Sequence, residues 1–360
     1  LFDNIKKISV QAIVDKKPKK TSSKKIKLPN FKHPIIICGP LNTSNNNKYI
    51  LQLSKKINAP ILADILSQIR NEKDVLCYYE HYLSNINPDL IIRFGDKPVS
   101  KKLNSFLDKY KNISFLIHNE FKENDDCPNK FIQDFSKMNN TIIINYTGDK
   151  KWASSIRKHE KKISQIIGST IRSNNSQASL VQKIIPKLNN NDHVFIGNSM
   201  LIRMFDQFSG FFKPSLKFLG NHVTRGIDGL VSTALGMSYI NKKGNNYLFI
   251  GDVSLFYDAN GFHILKNKNF NLTIIVINNK GGQIFSHLPY AKKNITGFNN
   301  FWITPPEPSI KNLALLFKLK YYKMNVSDLI QKINKTSKYS GVKIIEVPIN
   351  NTADLKVLET

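Results

Sequence analysis

NNYLFIGDVS (residues 245–254) and LTIIVINNKGGQIFSHLP (residues 272–289) frame one strand-helix-strand unit. Each contains a short apolar run bounded by turn residues, which is the pattern of a buried parallel strand. Between the two runs, Phe256 to Lys266 carries apolar residues at helical spacing. The unit therefore predicts an α/β fold that is built on a parallel sheet.

Polar residues follow both predicted strands. Asp252 follows the first strand, and Asn279 follows the second, with Gly281 in the next turn. The carboxyl ends of strands in an open parallel sheet border the crevice in which ligands bind. A carboxylate, an amide oxygen and a backbone carbonyl of the Gly-rich turn are hard oxygen ligands, which suit Mg²⁺ bound together with a phosphate group. The alternative is an ordinary strand-helix-strand unit with a capping Asp, because short motifs recur by chance.

The composition bounds the function classes. The chain has 360 residues, which suits about two domains. Its formal net charge is +27, yet only six of its 53 Lys and Arg residues are Arg. Because phosphate clamping and base recognition favour Arg, and the Lys residues are spread along the chain, we do not expect nucleic-acid binding. No apolar run approaches the roughly 20 residues of a membrane span. The three separated Cys residues favour a reducing compartment: Cys38, Cys77 and Cys127.

Alternating strand and helix patterns predict two doubly wound parallel-sheet domains. Residues 1–33 are Lys-rich and are predicted to be a linker or the tail of a missing N-terminal domain. Residues 34–147 form a predicted central α/β domain. Residues 148–177 are a predicted connection, and residues 178–360 a second α/β domain that contains the unit above.

Within these limits the pattern locates the individual elements. The central domain is predicted to have strands at 34–39, 60–64, 89–95, 113–117 and 141–146, and helices at 49–57, 75–86 and 99–107. In the second domain a strand at 193–197 is followed by Asn198 and Ser199 and then by a helix that carries Arg203. Asn and Ser are favoured helix caps, and the same helix terminus is also a natural anion site.

Several sequence blocks of the second domain resemble one enzyme family. They are Gly197-Asn198-Ser199 with Arg203, Gly226-Ile227-Asp228-Gly229, Gly251-Asp252-Val253-Ser254, and Asn278-Asn279 followed by Gly281-Gly282-Gln283-Ile284-Phe285-Ser286. Together they are similar to the 2-succinyl-5-enolpyruvyl-6-hydroxy-3-cyclohexene-1-carboxylate synthase family of menaquinone and phylloquinone biosynthesis. The central domain agrees, through Pro60-Ile-Leu-Ala-Asp64-x-Leu-Ser67 and the stretch from Asp89 to Leu103. The resemblance covers nearly all of the chain from about Pro34 onward.

This resemblance implies thiamine diphosphate with Mg²⁺ or Mn²⁺ as the cofactors, and a decarboxylating carboligation that joins 2-oxoglutarate to isochorismate. It places the cofactor at Asp252, Val253, Ser254, Asn279, Gly281, Gly282, Gln283, Ile284 and Phe285, with Asp252, Asn279 and Gly281 as the metal ligands. It places the substrates at Asn198, Ser199, Arg203, His222, Arg225, Leu288, Lys101 and Lys102. The family binds its cofactor between subunits, so a homodimer or homotetramer is expected. The activating Glu belongs to the missing domain, so no catalytic residue is predicted in this chain.

One stretch departs from the family pattern. Where the family has Asn-Arg-Gly-Ala-Ser before Gly-Ile-Asp-Gly, this chain has Asn221-His222-Val223-Thr224-Arg225. The family Arg that contacts substrate falls on His222, and we hypothesise that Arg225 replaces it. Two other functions stay open: a different thiamine-diphosphate 2-oxoacid decarboxylase or acetolactate-type synthase, and a non-catalytic binding module that is a drifted remnant or half of a split protein. The Lys-, Asn- and Ile-rich composition and the quinone pathway favour a plastid (stroma), with a bacterial cytoplasm as the alternative.

Overall fold

The computed structural model describes residues 25–41, 47–118, 125–132, 141–171, 175–222, 224–267, 269–293, 295–337 and 340–359. Most of the predicted N-terminal linker, residues 1–24, lies outside this part of the chain. The described residues form two six-stranded sheets and one two-stranded sheet. Every strand pairing among them is parallel, which confirms the predicted α/β class with doubly wound parallel sheets.

The first six-stranded sheet is built on runs of Ile and Leu that are buried on both faces. Ile36 in its centre pairs with Ile61 on one side and Ile92 on the other. The strand order is β4-β3-β2-β5-β6-β7. The strands are β2 (Pro34–Cys38), β3 (Ile61–Ala63), β4 (Val75–Leu76), β5 (Leu90–Phe94), β6 (Ser114–His118) and β7 (Asn129–Ile132). Two helices belong to this region, α1 (Asn47–Ile57) and α2 (Lys101–Lys109).

Two predictions for this region are wrong. Val75 to Ile86 is not helical but holds β4 and two 3₁₀ turns, Tyr79–His81 and Leu83–Asn85. The reason is that Val75 and Leu76 pair with Ile61 and Leu62 of β3, which makes the start of the segment a strand, and Glu160 accepts hydrogen bonds from the next two backbone amides, those of Cys77 and Tyr78.

The predicted strand at 141–146 is shorter and lies elsewhere. Only β8 (Ile142–Ile143) is formed, and it pairs with β1 (Ile26–Lys27) in the separate two-stranded sheet. The edge of the first sheet next to β6 is formed by β7, which was not predicted from the sequence. A long helix, α3 (Lys150–Thr170), and α4 (Gln177–Ile184) then lead into the second sheet. The predicted domain limits are not tested by these elements and stay a prediction.

The second six-stranded sheet has the order β10-β9-β11-β12-β14-β13. The two strands of the opening motif are therefore neighbours, in a register that pairs Gly251 with Ile277. The strands are β9 (His193–Ile196), β10 (Lys217–Leu219), β11 (Asn246–Gly251), β12 (Leu272–Asn278), β13 (Lys320–Lys323) and β14 (Val342–Pro348). The helices are α5 (Met200–Phe208), α6 (Leu230–Ile240), α7 (Asp252–Tyr257), α8 (Ile310–Leu316), α9 (Val326–Ser337) and α10 (Asn351–Glu359).

The crossover between β11 and β12 differs from the predicted helix at 256–266. A short helix, α7, starts directly at Asp252, and a 3₁₀ segment, Ala259–Asn267, follows it. Because α7 begins where the strand ends, Asp252 stands at the edge of the sheet. Apolar side chains from both large sheets pack into one shared core, which includes Ile35, Tyr79, Phe205 and Phe249. Within the described ranges no helix is long and apolar enough to cross a membrane.

Candidate functional site

A cavity of about 400 Å³ opens at the carboxyl ends of β9, β11 and β12. This is the edge at which ligands bind in open parallel sheets. Fourteen of the residues predicted to hold cofactor or substrate line it: Asn198, Ser199, Arg203, His222, Arg225, Asp252, Val253, Ser254, Asn279, Gly281, Gly282, Gln283, Ile284 and Phe285. Segments distant in sequence thus meet at one site, and their individual roles remain predictions.

Asp252 is fixed by the backbone on both sides of the cavity. Its Oδ1 accepts a hydrogen bond of 2.8 Å from the amide of Val253, and its Oδ2 accepts one of 2.9 Å from the amide of Gly281. Gly281 can take part because it adopts φ +118°, a conformation that L side chains rarely adopt. A Cβ atom there would lie 2.3 Å from the carbonyl oxygen of Ile303. Glycine is therefore needed for the loop to approach the carboxylate.

The Asp252 carboxylate is buried, with 2% of its surface exposed. Burial raises its pKa, and the amides of Gly281 and Val253 oppose this effect. No Lys or Arg side chain in the described ranges forms an ion pair with it. A buried carboxylate without a positively charged partner is unfavourable, and a bound cation would offset that cost. This feature fits a divalent metal at Asp252.

The donor set at this edge fits Mg²⁺ by its chemistry. Asn279 and Gly281 line the cavity beside Asp252, so an amide oxygen and a main-chain carbonyl are close to the carboxylate. A cluster of three or more His, Cys, Asp or Glu side chains that could hold a metal is absent from the described residues. The predicted set has only one acidic side chain, so phosphate oxygens would have to complete the coordination.

Ser199 and Arg203 lie at the start of α5. Ser199 occupies the N-cap position with φ 72° and ψ −138°, and its side chain makes no capping hydrogen bond. Helix capping was one of the two roles predicted for Ser199 from the sequence. The structure shows that its side chain does not cap α5. Arg203 donates from Nη1 to the carbonyl oxygen of Ser199 at 2.6 Å, which holds the first helical turn. Both residues line the cavity. A positive φ at a residue other than Gly is strained, and such strain clusters at ligand sites.

Asn198 and His222 line the cavity, and each has a buried polar atom without a partner among the described residues. Asn198 donates from Nδ2 to the carbonyl oxygens of Asn221 and Gly226, at 3.3 and 2.5 Å. Its Oδ1 and the Nε2 of His222 are buried and have no partner within the part of the chain that the structure describes. Buried polar atoms normally have partners, so these two atoms indicate a place for ligand polar groups.

The His222 imidazole is uncharged at neutral pH. Its burial, together with the charges of Arg225 and Arg203, lowers its pKa to about 4. Arg225 lines the cavity with φ 55°, so the rebuilt loop does bring a guanidinium to the site, as the hypothesis of replacement requires. The site therefore combines two guanidinium groups with one neutral imidazole.

Three predicted residues are not part of the cavity lining. Leu288 follows a 3₁₀ turn, Gln283–His287, and is half-buried. Lys101 and Lys102 lie in the first turn of α2 and are exposed, and the Lys102 Nζ is 3.9 Å from the Glu80 carboxylate. Their proposed contacts with substrate remain predictions.

Nine lining residues were not among the predicted site residues, although Ile227 and Gly251 lie within the sequence blocks that carry the family resemblance. The nine are Gln177, Met200, Leu201, Ile202, Ile227, Gly251, Tyr257, Ile277 and Thr304. Tyr257 could have been found from its helical spacing, because it lies three positions after Ser254 on α7. Gln177 could not, since its place depends on hydrogen bonds from its amide and side chain to Asp354, far along the chain.

Comparisons with known proteins bear on this site. A family described as the middle domain of thiamine pyrophosphate matches residues 8–196. The 2-succinyl-5-enolpyruvyl-6-hydroxy-3-cyclohexene-1-carboxylate synthase of Listeria monocytogenes serovar 1/2a is 30% identical over 89% of this chain and 58% of its own length. The proteins of the same name from Desulfitobacterium hafniense and Rippkaea orientalis are 31% and 29% identical, over 89% and 90% of this chain and 60% and 58% of their own lengths. The chain thus spans about three fifths of these relatives. The matches confirm the family resemblance that the sequence motifs predict.

Proposed function

Because the chain belongs to the thiamine pyrophosphate middle-domain family, we propose that its cavity binds the diphosphate end of thiamine diphosphate together with Mg²⁺. The observation that carries the proposal is the buried Asp252 carboxylate, which lacks a cationic partner among the described residues and faces the Gly281 loop. Asp252, the Asn279 side chain and the Gly281 carbonyl would hold the metal. Mn²⁺ has the same preference for oxygen ligands and is the second candidate.

We further propose that the protein joins 2-oxoglutarate to isochorismate, as the name of its relatives implies for them. Both substrates are dicarboxylates, and Arg203 and Arg225 bring two guanidinium groups to the same cavity. The Asn198 Oδ1 would accept a hydrogen bond from a substrate hydroxyl, and the His222 Nε2, in the tautomer that carries its proton there, would donate to a carboxylate oxygen. When bound, thiamine diphosphate would supply the decarboxylation and carbon–carbon bond chemistry.

The remaining residues would orient the ligands and exclude water. Ile284 and Phe285 contribute apolar side chains to the cavity lining, and a ligand that covers them would displace water. Val253, Ser254, Gly282 and Gln283 would contact the cofactor from the two loops. Leu288 would reach the substrates only after a rearrangement of its loop, and Lys101 and Lys102 only after a shift of the first turn of α2. No residue of this chain is assigned as catalytic.

The assembly and compartment belong to the same proposal. A second copy of the chain would cover aromatic side chains that stand exposed near the cavity, namely Tyr257, Phe301 and Trp302, so we propose a homodimer or homotetramer. The limits 34–147 and 178–360 are proposed for a central domain and a diphosphate-binding domain. A plastid stroma is the proposed compartment, because of the Lys-rich composition and the quinone pathway.

Cofactor binding can be followed by tryptophan fluorescence. The chain has two Trp residues, and the ring of Trp302 lies edge-on to the cavity residue Phe285, 5.6 Å between centroids. Trp152 lies in α3 and stacks on His33, so a Trp152→Phe variant isolates the Trp302 signal. Thiamine diphosphate should quench this signal saturably with Mg²⁺ present and much more weakly with EDTA. A titration that is identical in both conditions would contradict the metal site.

The carboligation is tested by an activity assay on the full-length protein. Isochorismate should disappear and CO₂ should be released only when 2-oxoglutarate, Mg²⁺ and thiamine diphosphate are all present. Consumption of pyruvate in place of isochorismate would favour an acetolactate-type synthase instead. Saturable cofactor binding without turnover of either pair would favour a non-catalytic binding module.

A further inference from the structure

A buried hydrogen-bond network joins the first sheet to α5, the helix that carries Ser199 and Arg203. Its centre is Arg70, which has 1% of its surface exposed. The Arg70 Nε donates to the carbonyl oxygen of Ala63 at 2.8 Å, on β3. Its Nη1 donates to the carbonyl oxygen of Asp206 at 2.8 Å and to the Oγ of Ser209 at 2.7 Å. One guanidinium thus binds the end of a strand and the last turn of a helix.

Asp206 completes the network from the helix side. Its Oδ1 accepts from the Arg70 Nη2 at 2.5 Å and from the amide of Ile65 at 2.8 Å. Its Oδ2 accepts from the hydroxyl of Tyr79 at 2.7 Å. All three donors belong to the segment from β3 to the 3₁₀ turn Tyr79–His81, so the connections of the first sheet hold this carboxylate. These residues lie outside the cavity lining, and the proposed ligand contacts do not involve them.

The network is better explained by positioning than by stability. A buried ion pair gains little over well-packed apolar side chains, because its desolvation cost is of the same order as its attraction. The ion pair does fix the relative orientation of the two segments that it joins, because a planar guanidinium group and a carboxylate pair in few alternative geometries. Position matters at this helix, because Asp206 lies three residues after Arg203, less than one helical turn away.

We propose that Arg70 is a positioning residue for substrate binding: by fixing Asp206 and Ser209 at one end of α5, it sets the place of Ser199 and Arg203 in the cavity. The inference rests on the proposed function, in which α5 binds the dicarboxylate substrates. Held at its C-terminal end, α5 can keep Ser199 at φ 72° and aim Arg203 into the cavity. A displacement of about 1 Å is enough to weaken such contacts severely.

Two mild variants each remove one contact of the network. Tyr79→Phe deletes the hydroxyl that binds Asp206, and Ser209→Ala deletes an acceptor of Arg70. The matched control is Tyr82→Phe: Tyr82 is also buried, and its hydroxyl donates at 2.7 Å to a carboxylate, but that carboxylate is Glu160 on α3. All three variants therefore lose one buried hydroxyl group. In Tyr79→Phe and Ser209→Ala the lost hydrogen bond belongs to the network at α5, whereas in Tyr82→Phe it does not.

The measurements are the dissociation constants for isochorismate and for Mg²⁺ with thiamine diphosphate, by calorimetry. Tyr79→Phe and Ser209→Ala should each weaken isochorismate binding about three- to tenfold. They should leave cofactor binding within about twofold, because Asp252 and Gly281 lie on β11 and β12 loops and not on α5. If these variants only lowered the stability of the protein, the affinities for isochorismate and for the cofactor would fall together or both stay unchanged. Tyr82→Phe should change neither constant.

Deuterium exchange gives a readout that does not depend on substrate. The amides of α5 should exchange faster in Tyr79→Phe and Ser209→Ala than in Tyr82→Phe, while those of α6 stay unchanged. Unchanged α5 exchange in both variants, or an equal loss of isochorismate affinity in Tyr82→Phe, would overturn the positioning role. Failure of the unmodified protein to bind isochorismate would instead overturn the proposed function, and the exchange data would still decide whether the network of Arg70, Asp206 and their partners positions α5.

Discussion

Asp192 and Asp252 bind the backbone at opposite ends of the same strand, β11. Asp192 accepts a 2.7 Å hydrogen bond from the amide of Asn245 at the amino end, and Asp252 stands at the carboxyl end facing Gly281. Both carboxylates are buried, at 1% and 2% exposure, and burial raises the pKa of each. Only Asp252 lines the cavity, so the two residues form a natural comparison.

Asp252→Asn should weaken the binding of Mg²⁺ with thiamine diphosphate by about 100-fold or more, because even residues that merely support metal ligands contribute about 10- to 100-fold. Asp192→Asn should leave this affinity unchanged, although it should lower the melting temperature by a few degrees through its lost hydrogen bonds. Titration of Trp302 fluorescence in the Trp152→Phe background measures both affinities. Equal affinities in the two variants would remove Asp252 from the metal site.

Arg225→Ala should raise the dissociation constant for isochorismate about tenfold or more, because a charge-assisted hydrogen bond to a carboxylate is lost. The cofactor affinity should not change. Arg157→Ala is the control, since this Arg on α3 donates to the carbonyl oxygen of Asp74, and neither residue lines the cavity. If Arg225→Ala binds isochorismate as tightly as the control does, Arg225 does not take over the role of the family Arg replaced by His222.

The His222 imidazole should make the protein less stable in acid. Its pKa of about 4 in the folded protein lies below the ordinary value of about 6.5. Between these two pH values the unfolded chain binds more protons, so the free energy of unfolding falls as the pH falls from about 6.5 to about 4. His222→Gln should reduce this fall by an amount of order 1 kcal/mol, after allowance for solvent screening.

Denaturant unfolding at pH 7.0 and at pH 4.5 measures this effect. His263→Gln, a substitution at an exposed imidazole on the 3₁₀ segment after α7, is the control. The same pH dependence in His222→Gln and in the unmodified protein would show that His222 is not held neutral.

Gly281→Ala should destabilise the loop that carries this residue and weaken cofactor binding. A positive φ costs an L residue roughly 1–2 kcal/mol, and here the new methyl group would also meet the carbonyl oxygen of Ile303. Gly341→Ala is the control, because Gly341 also has positive φ but its surroundings leave open space where the methyl group would lie. Thermal unfolding should show a larger loss for Gly281→Ala, and only this variant should bind the cofactor poorly. Similar losses in both variants would mean that the close approach is relieved by the loop.

The sequence predicted the elements whose signal is local. The mostly apolar runs of β5, β11 and β12 could be recognised because strands buried on both faces have few polar side chains. The cavity edge followed from the same runs, since parallel strands place their ends together. The confirmed α/β class and the grouping of Asp252, Asn279 and Gly281 are consequences of this local signal.

The features that were missed depend on partners far along the chain. The segment from Val75 to Ile86 has a helical pattern, but its first two residues pair with β3, and Glu160 accepts from the amides of Cys77 and Tyr78, 83 and 82 positions away. The backbone of Ser199 is likewise set by its surroundings and not by its own preference, since Ser disfavours positive φ. Glu160 lies too far along the chain from Cys77 and Tyr78 to share one sequence window with them, so hydrophobic periodicity cannot predict these contacts.

The contacts of Arg70 also bear on how the chain comes apart. Unfolding of either large sheet would leave a guanidinium or a carboxylate stranded in an apolar core that both sheets share. Neither sheet can therefore melt while the other keeps its native packing. Calorimetry should record one cooperative heat-absorption peak for the described region, with equal calorimetric and van't Hoff enthalpies, despite its two separate sheets.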